Sequence, residues 1–330
     1  MNDLVLPSYD GLKRRPGRLA GTAWELFGRD DQLGTLNHLT PDRVKAALEV
    51  VSEGRRFGLN LPLNAFNPPL IAHRGALRHD LFGLNEFHRD ERLDNLFTQA
   101  STQIDGLRHF AHPDHGFYNN FDGARIVSDD PTLGIQAAAE QGIVGRGHVI
   151  DVAAYRESIG KPIDHAASEG ISIAEVEATL TWQGSEVRPG DILLFRFGWI
   201  DWYRSGQYDR ETPPTSAGLM QREETAAWLW DQRIAMAAAD NIALEAWPAS
   251  DDSEIVTEAE QRGTLPLSTH TGMLHRILIP LLGLTIGELW DLDELAVACH
   301  ARQKYDALIF AEPLNVVGGV GSPANALALI

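Results

Sequence analysis

Short apolar runs alternate with helix-forming segments along this sequence, and this alternation is the feature that most restricts its fold. A buried strand is predicted at 147–152, where a glycine precedes the run His-Val-Ile-Asp-Val. A helix capped by Ser172 is predicted at 173–183, and a strong strand follows the turn at Pro189-Gly190. Because strands and helices are interspersed, the pattern predicts the α/β or α+β class.

The same patterns place the remaining elements and suggest a simple domain organisation. We predict helices at 42–52, 215–239 and 271–282, strands at 56–63, 241–244 and 307–310, and a glycine-rich loop at 318–322. Turn-forming prolines and glycines dominate residues 1–40, which predicts an irregular N-terminal arm. No shift in composition marks a later boundary, so residues 41–330 are predicted to form a single domain.

The charge balance restricts the partners of the protein. Asp and Glu total 46 against 28 Lys and Arg, a formal net charge of −18, and this charge disfavours nucleic acid and anionic membrane surfaces. No apolar run approaches the roughly 20 residues that span a bilayer. The first residues lack the pattern of a secretory signal, so we expect a soluble cytoplasmic protein. Cys299 is the single cysteine, which excludes an intrachain disulfide.

The segment 99–115 is the richest in potential ligands and proton-transfer groups. These groups are Gln99, Gln103, Asp105, His109, His112 and His115. Gln103 and Asp105 are two residues apart and share a face if the chain is extended, and His109 follows four residues later. Carboxylate, amide and imidazole groups that converge in this way suit Zn²⁺, Mn²⁺ or another borderline divalent ion. A polar surface loop with an Asx-turn at Asp105-Gly106 is an equally good explanation of the same spacing.

A second group of candidates lies nearer the C-terminus. His275 falls on a predicted helix, and Glu288 follows the next strand-like stretch. Together they would complete a metal shell or transfer protons. Alternatively, Glu288 is an acid placed in the first turn of the following helix, where the helix dipole favours it.

Other positions are candidates for substrate contact. Arg196 and Trp199 lie at the end of the strong strand, at a strand mouth where ligands often bind. We assign them, together with Gln99 and His112, to substrate binding. The loop 318–322 lacks the Lys-Ser/Thr of a phosphate loop, and the chain has no GxSxG nucleophile elbow, so nucleotide binding there and Ser-His-Asp catalysis are not expected.

Taken together, these motifs resemble the metal-dependent cyclase-like hydrolases, a family that includes bacterial kynurenine formamidase and isatin hydrolase. The family signature H-x-G-T-H-x-D-x-x-x-H is similar to residues 99–109, with Asp105 and His109 at its aspartate and final histidine. The family's later H…G…I-x-E resembles His275…Gly283…Ile286-Gly-Glu288. In addition, 191–199 resembles its strand ending in R-T-G-W, and 313–323 its terminal glycine-rich loop.

The resemblance implies a swivelling β/β/α fold, usually oligomeric, and hydrolysis of an amide or lactone of a small, cyclic or aromatic substrate. It implies a divalent metal, Mn or Zn, with Asp105, Gln103, His275 and Glu288 as ligands. A metal-activated water would attack the carbonyl, and His109 would act as general base or proton shuttle beside Asp105 and Glu288.

This sequence departs from the family signature at two positions, where Gln99 and Gln103 replace histidines. The departure resembles a glutamine-containing branch of the family. A neutral amide oxygen is a weaker zinc ligand than imidazole, and fold alone does not fix activity. Two further hypotheses therefore stay open: a metal-independent cyclase, dehydratase or isomerase that uses Asp105, His109 and Glu288 as acid–base groups, and a small-molecule binding protein without catalysis.

Overall fold

A mixed nine-stranded sheet runs through the protein and positions the candidate site. The structure is a computed structural model that describes residues 5–330. Its strands are β1 (Arg56–Gly58), β2 (Arg78–Gly83), β3 (Arg89–Asp94), β4 (Gln103–Asp105), β5 (Ile143–Asp151), β6 (Gly170–Ile171), β7 (Ile192–Arg196), β8 (Gly218–Leu219), β9 (Met236–Ala239), β10 (Thr285–Glu288), β11 (Asp306–Ala311), β12 (Gly321–Pro323) and β13 (Ala326–Leu329). The order in the main sheet is β1-β13-β11-β5-β7-β9-β10-β4-β12.

Helices cover the sheet. They are α1 (Tyr9–Lys13), α2 (Pro41–Ala47), α3 (Gln136–Gln141), α4 (Val152–Ser158), α5 (Ile173–Gln183), α6 (Trp199–Arg204), α7 (Glu223–Asp231), α8 (Glu258–Gln261), α9 (His275–Leu278) and α10 (Asp293–Arg302). None of the helices between residues 5 and 330 is long and apolar enough to cross a bilayer.

The central strands β5, β7, β9 and β10 are parallel to one another, and their alternate residues enter two different cores. Leu193 and Phe195 pack on one face of the sheet, and Ile192 and Leu194 pack on the other, as the two-residue period of a strand requires. The first core includes α5 and α7, and the second includes α10. The predicted α/β class is therefore confirmed.

Several predicted elements match the structure closely. Helix α5 spans the predicted 173–183, and the side chain of Ser172 accepts a hydrogen bond from the backbone of Glu175. Thr40 caps α2, with Pro41 at its first turn, and a short 3-10 turn continues that helix to Val50. The strands predicted at 147–152, after the turn at Pro189-Gly190, and at 307–310 correspond to β5, β7 and β11.

The helix predicted at 215–239 is wrong in its extent. Within that range the structure has a short strand, β8, then α7, and finally β9. A Cβ atom at Gly218 would lie 2.3 Å from the backbone of Glu245. The chain here packs closely against another segment and is not helical. The run Met236-Ala-Ala-Ala favours a helix by propensity. It is fully buried between β7 and β10, and tertiary pairing overrides that preference.

Four other predictions also differ from the structure. The range 241–244 is not a strand but a turn in which Leu244 has a φ of 60°. The helix predicted at 271–282 is reduced to α9, since Gly272 has a φ of +83° before it and Pro280 follows it. The strand predicted at 56–63 ends at Gly58, and two strands follow the one predicted to be terminal.

The N-terminal segment is irregular but packed. Residues 1–4, the start of the predicted arm and of the segment inspected for a signal, lie outside the described residues. Between residues 5 and 40 the chain forms α1 and two 3-10 turns. Leu12 and Trp24 are buried in the first core, and the Trp24 indole donates to the backbone oxygen of Pro280 at 2.7 Å.

Candidate active site

The register between β4 and β10 brings the first candidates together. These antiparallel strands pair Gln103 with Glu288 and Asp105 with Ile286. Directly paired residues project to the same face of a sheet, as do residues two apart. Gln103, Asp105 and Glu288 therefore share one face, although 183 residues separate the two acids in the sequence.

His275 completes a buried cluster with the two acids. Its Nε2 lies 3.1 Å from a carboxylate oxygen of Glu288 and 3.6 Å from Oδ2 of Asp105. One ligand atom from each of the three residues lies within 4.8 Å of the others. Asp105 and His275 are 1% and 2% exposed, and Glu288 is 5% exposed. Three potential ligands thus meet in the protein interior.

Glu245 orients His275, and the sequence analysis did not identify it. Its carboxylate accepts the backbone N–H groups of Leu274 and His275 and lies 2.6 Å from the imidazole Nδ1. This contact turns Nε2 toward Glu288 and Asp105. A carboxylate behind a histidine is the usual support of a histidine ligand in metal sites. The sequence offered one signal for Glu245: it is an acid within the apolar stretch 234–246, where burying an unpaired charge costs free energy.

The two glutamines bind the two site carboxylates. The Gln99 amide donates to Oδ1 of Asp105, and the Gln103 amide donates to Oε2 of Glu288. On the other edge of β4, strand β12 pairs Gly321 with Asp105. A Cβ atom at Gly321 would lie 3.2 Å from the Gln99 side chain. Two buried oxygens in the cluster, Oε1 of Gln103 and Oδ2 of Asp105, have no hydrogen-bond partner.

Burial and mutual contacts shift the ionisation of the cluster. Burial and the charge of Asp105 raise the pKa of Glu288 to about 7. Burial alone would raise the pKa of Asp105, but the charges of the nearby His109 and His275 and the hydrogen bond from Gln99 outweigh it and lower that pKa. Burial alone would lower the pKa of His275, yet the carboxylates of Asp105, Glu245 and Glu288 around the ring raise that pKa well above the usual value.

His109 lies at the edge of the cluster. Its Nδ1 is 3.2 Å from the Gln99 amide nitrogen, and its Nε2 is 3.8 Å from Oδ2 of Asp105. Burial lowers its pKa, so the imidazole is neutral near pH 7. A neutral histidine beside a buried carboxylate can accept a proton, as a general base requires.

The cluster opens into a cavity of about 470 Å³. Gln99, Gln103, His109, His275 and Glu288 all contribute to its wall. Much of the remaining lining is apolar or aromatic: Pro69, Leu70, Ile71, Phe97, Phe110, Ile242, Trp247, Met273 and Leu289. Arg74, His73 and His270 add polar groups that the sequence analysis did not assign to the site. The volume suits a small molecule.

Three of the residues assigned to substrate binding lie outside this cavity lining. Arg196 is paired with Asp151 at 3.0 Å and with Asp293 at 2.9 Å. Trp199 is fully buried, and its indole donates to the backbone oxygen of Thr215. His112 packs edge-on against His115 and accepts the backbone N–H of Asp114. The fourth, Gln99, lines the cavity.

Comparison with known proteins gives a consistent result. Residues 59–246 match a family model described as "Putative cyclase". A crystal structure described as that of a novel cyclase is 30% identical, with a TM-score of 0.77, and the match covers 94% of this chain and 99% of that one. A search of curated proteins gives no match.

Isatin hydrolases share the fold at lower identity. Isatin hydrolase A from Labrenzia aggregata, bound to benzyl benzoate, is 16% identical with a TM-score of 0.55, and the match covers 89% of this chain and 98% of that one. Isatin hydrolase A from Ralstonia solanacearum is 17% identical with a TM-score of 0.54 over 88% and 98% of the two chains.

Proposed function

This chain belongs to the cyclase family, and we propose that it is a metal-dependent hydrolase of an amide or lactone in a small, cyclic or aromatic substrate. We further propose a cytoplasmic enzyme that acts as a homo-oligomer. A net charge of −18 disfavours nucleic acid and anionic lipid as partners.

The observation that carries the proposal is the buried cluster in which three carboxylates surround one imidazole. Asp105, Glu245 and Glu288 are buried carboxylates that contact one imidazole, His275. Buried charges require compensation by pairing or by a metal ion. Oδ2 of Asp105 and Oε1 of Gln103 accept no hydrogen bond and could ligate, so the donor set fits a divalent cation.

Asp105, His275, Glu288 and Gln103 would hold the metal in this proposal. Oxygen-rich donor sets suit Mn²⁺, and the imidazole extends the range to Zn²⁺. Such an ion polarises a carbonyl and lowers the pKa of water coordinated to it.

The surrounding residues then have separate tasks. His109 accepts or returns a proton at Nε2, since its Nδ1 faces the amide of Gln99. Gln99 holds both His109 and Asp105 in position through one amide group. Glu245 fixes the direction of the His275 ring.

The cavity supports the proposed substrate class. Its volume of about 470 Å³ and its aromatic and aliphatic walls favour a compact apolar molecule with one polar reacting group. Isatin hydrolase crystals hold benzyl benzoate or thioisatinate, and both names describe aromatic carbonyl compounds.

Metal-independent acid–base catalysis, as in a cyclase, dehydratase or isomerase, is the second candidate. The observation that favours it is that both glutamine amides already satisfy oxygens of Asp105 and Glu288, while His275 bridges the acids. In that case Glu288, with a pKa of about 7, would exchange protons with the substrate directly. A binding protein without catalysis would use the same cavity.

Metal analysis separates the candidates. We expect purified protein dialysed against Mn²⁺ or Zn²⁺ to retain about one equivalent per chain, since the structure offers one cluster of ligands in residues 5–330. Asp105→Asn and Glu288→Gln should abolish retention. Asp114→Asn, at an exposed aspartate, is the matched control and should retain it.

An activity screen follows the metal analysis. The loaded wild-type protein should hydrolyse some member of a panel of cyclic amides and lactones, and chelation should stop the reaction. A wild-type protein that retains neither ion would contradict the metal-dependent proposal. Activity of such a protein that Asp105→Ala removes would support the acid–base candidate instead.

A further inference from the structure

A second concave surface adjoins the active-site cavity. It is a groove of about 910 Å³, the aromatic groove, and most of its lining is apolar or aromatic. Its lining includes Trp202, Tyr208, Pro213, Pro214 and Pro248. Among the lining residues that the structure describes, Asp209 is the one with a charged side chain. A ligand in this groove is therefore bound by ring stacking and apolar contact rather than by charge.

The groove and the active-site cavity share a wall. Leu70, Ile71, Trp247 and Thr269 line both spaces. Each of these four residues keeps part of its surface exposed, so the two spaces meet at the protein surface rather than across the core. A substrate that is too long for the cavity therefore reaches the groove next.

A row of rings leads from the buried cluster to that shared wall. The imidazole of His275 lies 5.2 Å from the ring of Phe110, and Phe110 lies 5.3 Å from the ring of His270. The ring of His270 lies 6.5 Å from that of Trp247. All four residues line the active-site cavity, so one side of the path from the cluster to the groove is built of rings. Flat aromatic groups bind such a surface by offset stacking and edge-to-face contacts.

Packing behind the groove holds its aromatic side chains in place. The ring of Trp202 lies 5.5 Å from that of Tyr208 and 6.3 Å from that of Trp199, which is fully buried. Tyr203 packs 5.3 Å from Tyr208 on another side. Side chains that are already fixed lose little conformational entropy when a ligand binds. The groove therefore suits a flat, rigid group, which also loses little entropy on binding.

We propose that the aromatic groove binds the far end of a two-ring substrate. The reacting amide or lactone of that substrate occupies the cavity beside the cluster, and a second aromatic ring lies in the groove against Trp202 and Tyr208. The identity of the reacting group rests on the hydrolysis proposed above, whereas binding of the second ring does not depend on the metal. The inference narrows the substrate class to aromatic carbonyl compounds with a further aryl substituent.

Size agrees with a two-ring substrate. Pockets that enclose drug-sized molecules measure roughly 300–1,000 Å³, and the cavity alone, at about 470 Å³, lies in the lower half of that range. A one-ring substrate fills the cavity and leaves the groove to water. A second ring in the groove removes apolar surface of both molecules from water, and this favours binding.

Amides that differ by one ring test the proposal. N-methylbenzamide carries one ring, and N-benzylbenzamide and N-(3-phenylpropyl)benzamide carry a second ring on a short or a longer linker. Isothermal titration calorimetry measures their affinities for metal-loaded and metal-free protein. At least one of the two-ring amides should bind at least about tenfold more tightly than N-methylbenzamide, because burial of an aromatic ring contributes that much to a dissociation constant.

Substitutions in the groove locate the second ring. Thr212→Trp adds a bulky side chain at an exposed residue of the groove lining, and Tyr208→Ala removes one of its rings. Both should lower the affinity for the tighter two-ring amide about tenfold and leave that for N-methylbenzamide unchanged. The matched controls are Thr181→Trp and Phe310→Ala, at exposed positions outside the groove lining, and they should leave every affinity unchanged.

Three outcomes would overturn the proposal. They are equal affinities of wild type for the one-ring and two-ring amides, a tighter two-ring complex that neither groove variant weakens, and an equal loss of affinity for all three amides in both variants. The second outcome would place the extra ring inside the cavity, and the third would mean that the groove acts on the cavity as a whole. Metal retention and hydrolysis are measured separately. Two-ring binding by metal-free protein persists if the hydrolase proposal fails, so the two failures are distinguishable.

Discussion

The active-site cluster and the β2–β3 hairpin depart from ordinary protein architecture in opposite ways. The cluster buries carboxylates, and the hairpin exposes large apolar side chains. Both arrangements are unfavourable for an isolated chain, because burying charge and exposing apolar surface to water each cost free energy. The contrast locates the two regions where the chain alone leaves groups uncompensated, and at the cluster we propose that a cation or a substrate compensates them.

The largest expected effect is a pH-dependent loss of stability in the metal-free protein. The pKa of Glu288 rises from 4.5 to about 7 on folding. Between these values the folded chain holds a proton that the unfolded chain has released, so stability falls as pH rises through 7. The raised pKa of His275 acts in the same direction. In urea unfolding of the metal-free protein, the unfolding free energy of wild type relative to Glu288→Gln should decline by on the order of 2–3 kcal/mol between pH 5 and pH 8, because the shifts of the other buried groups are common to both proteins.

Substitution of Glu288 sharpens that result. The exposed control Glu254→Gln should keep the wild-type profile, so the same pH-dependent difference should separate it from Glu288→Gln. Added metal should restore stability to the wild-type protein at pH 8, since binding to the folded state alone is stabilising. A difference between wild type and Glu288→Gln that does not change with pH would mean that Glu288 holds no extra proton in the folded protein, and the contrast between the two regions would lack one of its sides.

The next largest effect, a loss of metal affinity, is expected at Glu245, whose carboxylate orients His275. Glu245→Gln should lower divalent-metal affinity about 10–100-fold, because residues that orient a ligand contribute this much in other metal sites. Competition with a fluorescent chelator measures it. Glu254→Gln again provides the comparison. Unchanged affinity in Glu245→Gln would show that His275 does not face a metal.

A smaller effect, an increase in metal affinity, is expected from a substitution at Gln103. Gln103→His should raise affinity for Zn²⁺ roughly tenfold, the lower end of the range for changes around a metal site, because imidazole is a better zinc ligand than an amide oxygen. Gln261→His, at an exposed glutamine, controls for adventitious binding by a new histidine. Equal gains in the two variants would remove Gln103 from the proposed shell.

The smallest effect belongs to the hairpin. Phe87→Ser should change the unfolding free energy of the dilute protomer by less than about 0.5 kcal/mol, as for other exposed positions. Truncation of the buried Phe197 to alanine should cost about 3–5 kcal/mol under the same conditions. A large loss at Phe87 in the dilute protein would show that the hairpin packs on its own chain.

Local patterns in the sequence predicted the parts of the fold that depend on neighbouring residues. The Ser172 cap and its helix, the Thr40-Pro41 start of α2 and the apolar runs of β5 and β7 are all decided within about a dozen positions. The run Met236–Ala239 shows the limit. Its side chains favour a helix, and only the flanking strands of the sheet make it extended.

The candidate site was partly foreseeable for the same reason. Asp105, His275 and Glu288 belong to sequence motifs, and the structure brings them together. Glu245 belongs to no local pattern, and its role appears only because the backbone of 274–275 folds onto its carboxylate. Arg196 and Trp199 follow a strand end as the sequence indicated, but their polar groups are engaged by Asp151, Asp293 and Thr215.

By itself, the sequence determined the α/β class, the acidic surface charge and the residue types available for chemistry, because these depend on composition and short-range periodicity. Only the tertiary structure decided which acids face one imidazole, which glutamine amide meets which carboxylate, and which apolar side chains stay outside. Those outcomes depend on strand register and on contacts between residues far apart in the chain, where burial and Coulomb interactions act through space rather than along the sequence.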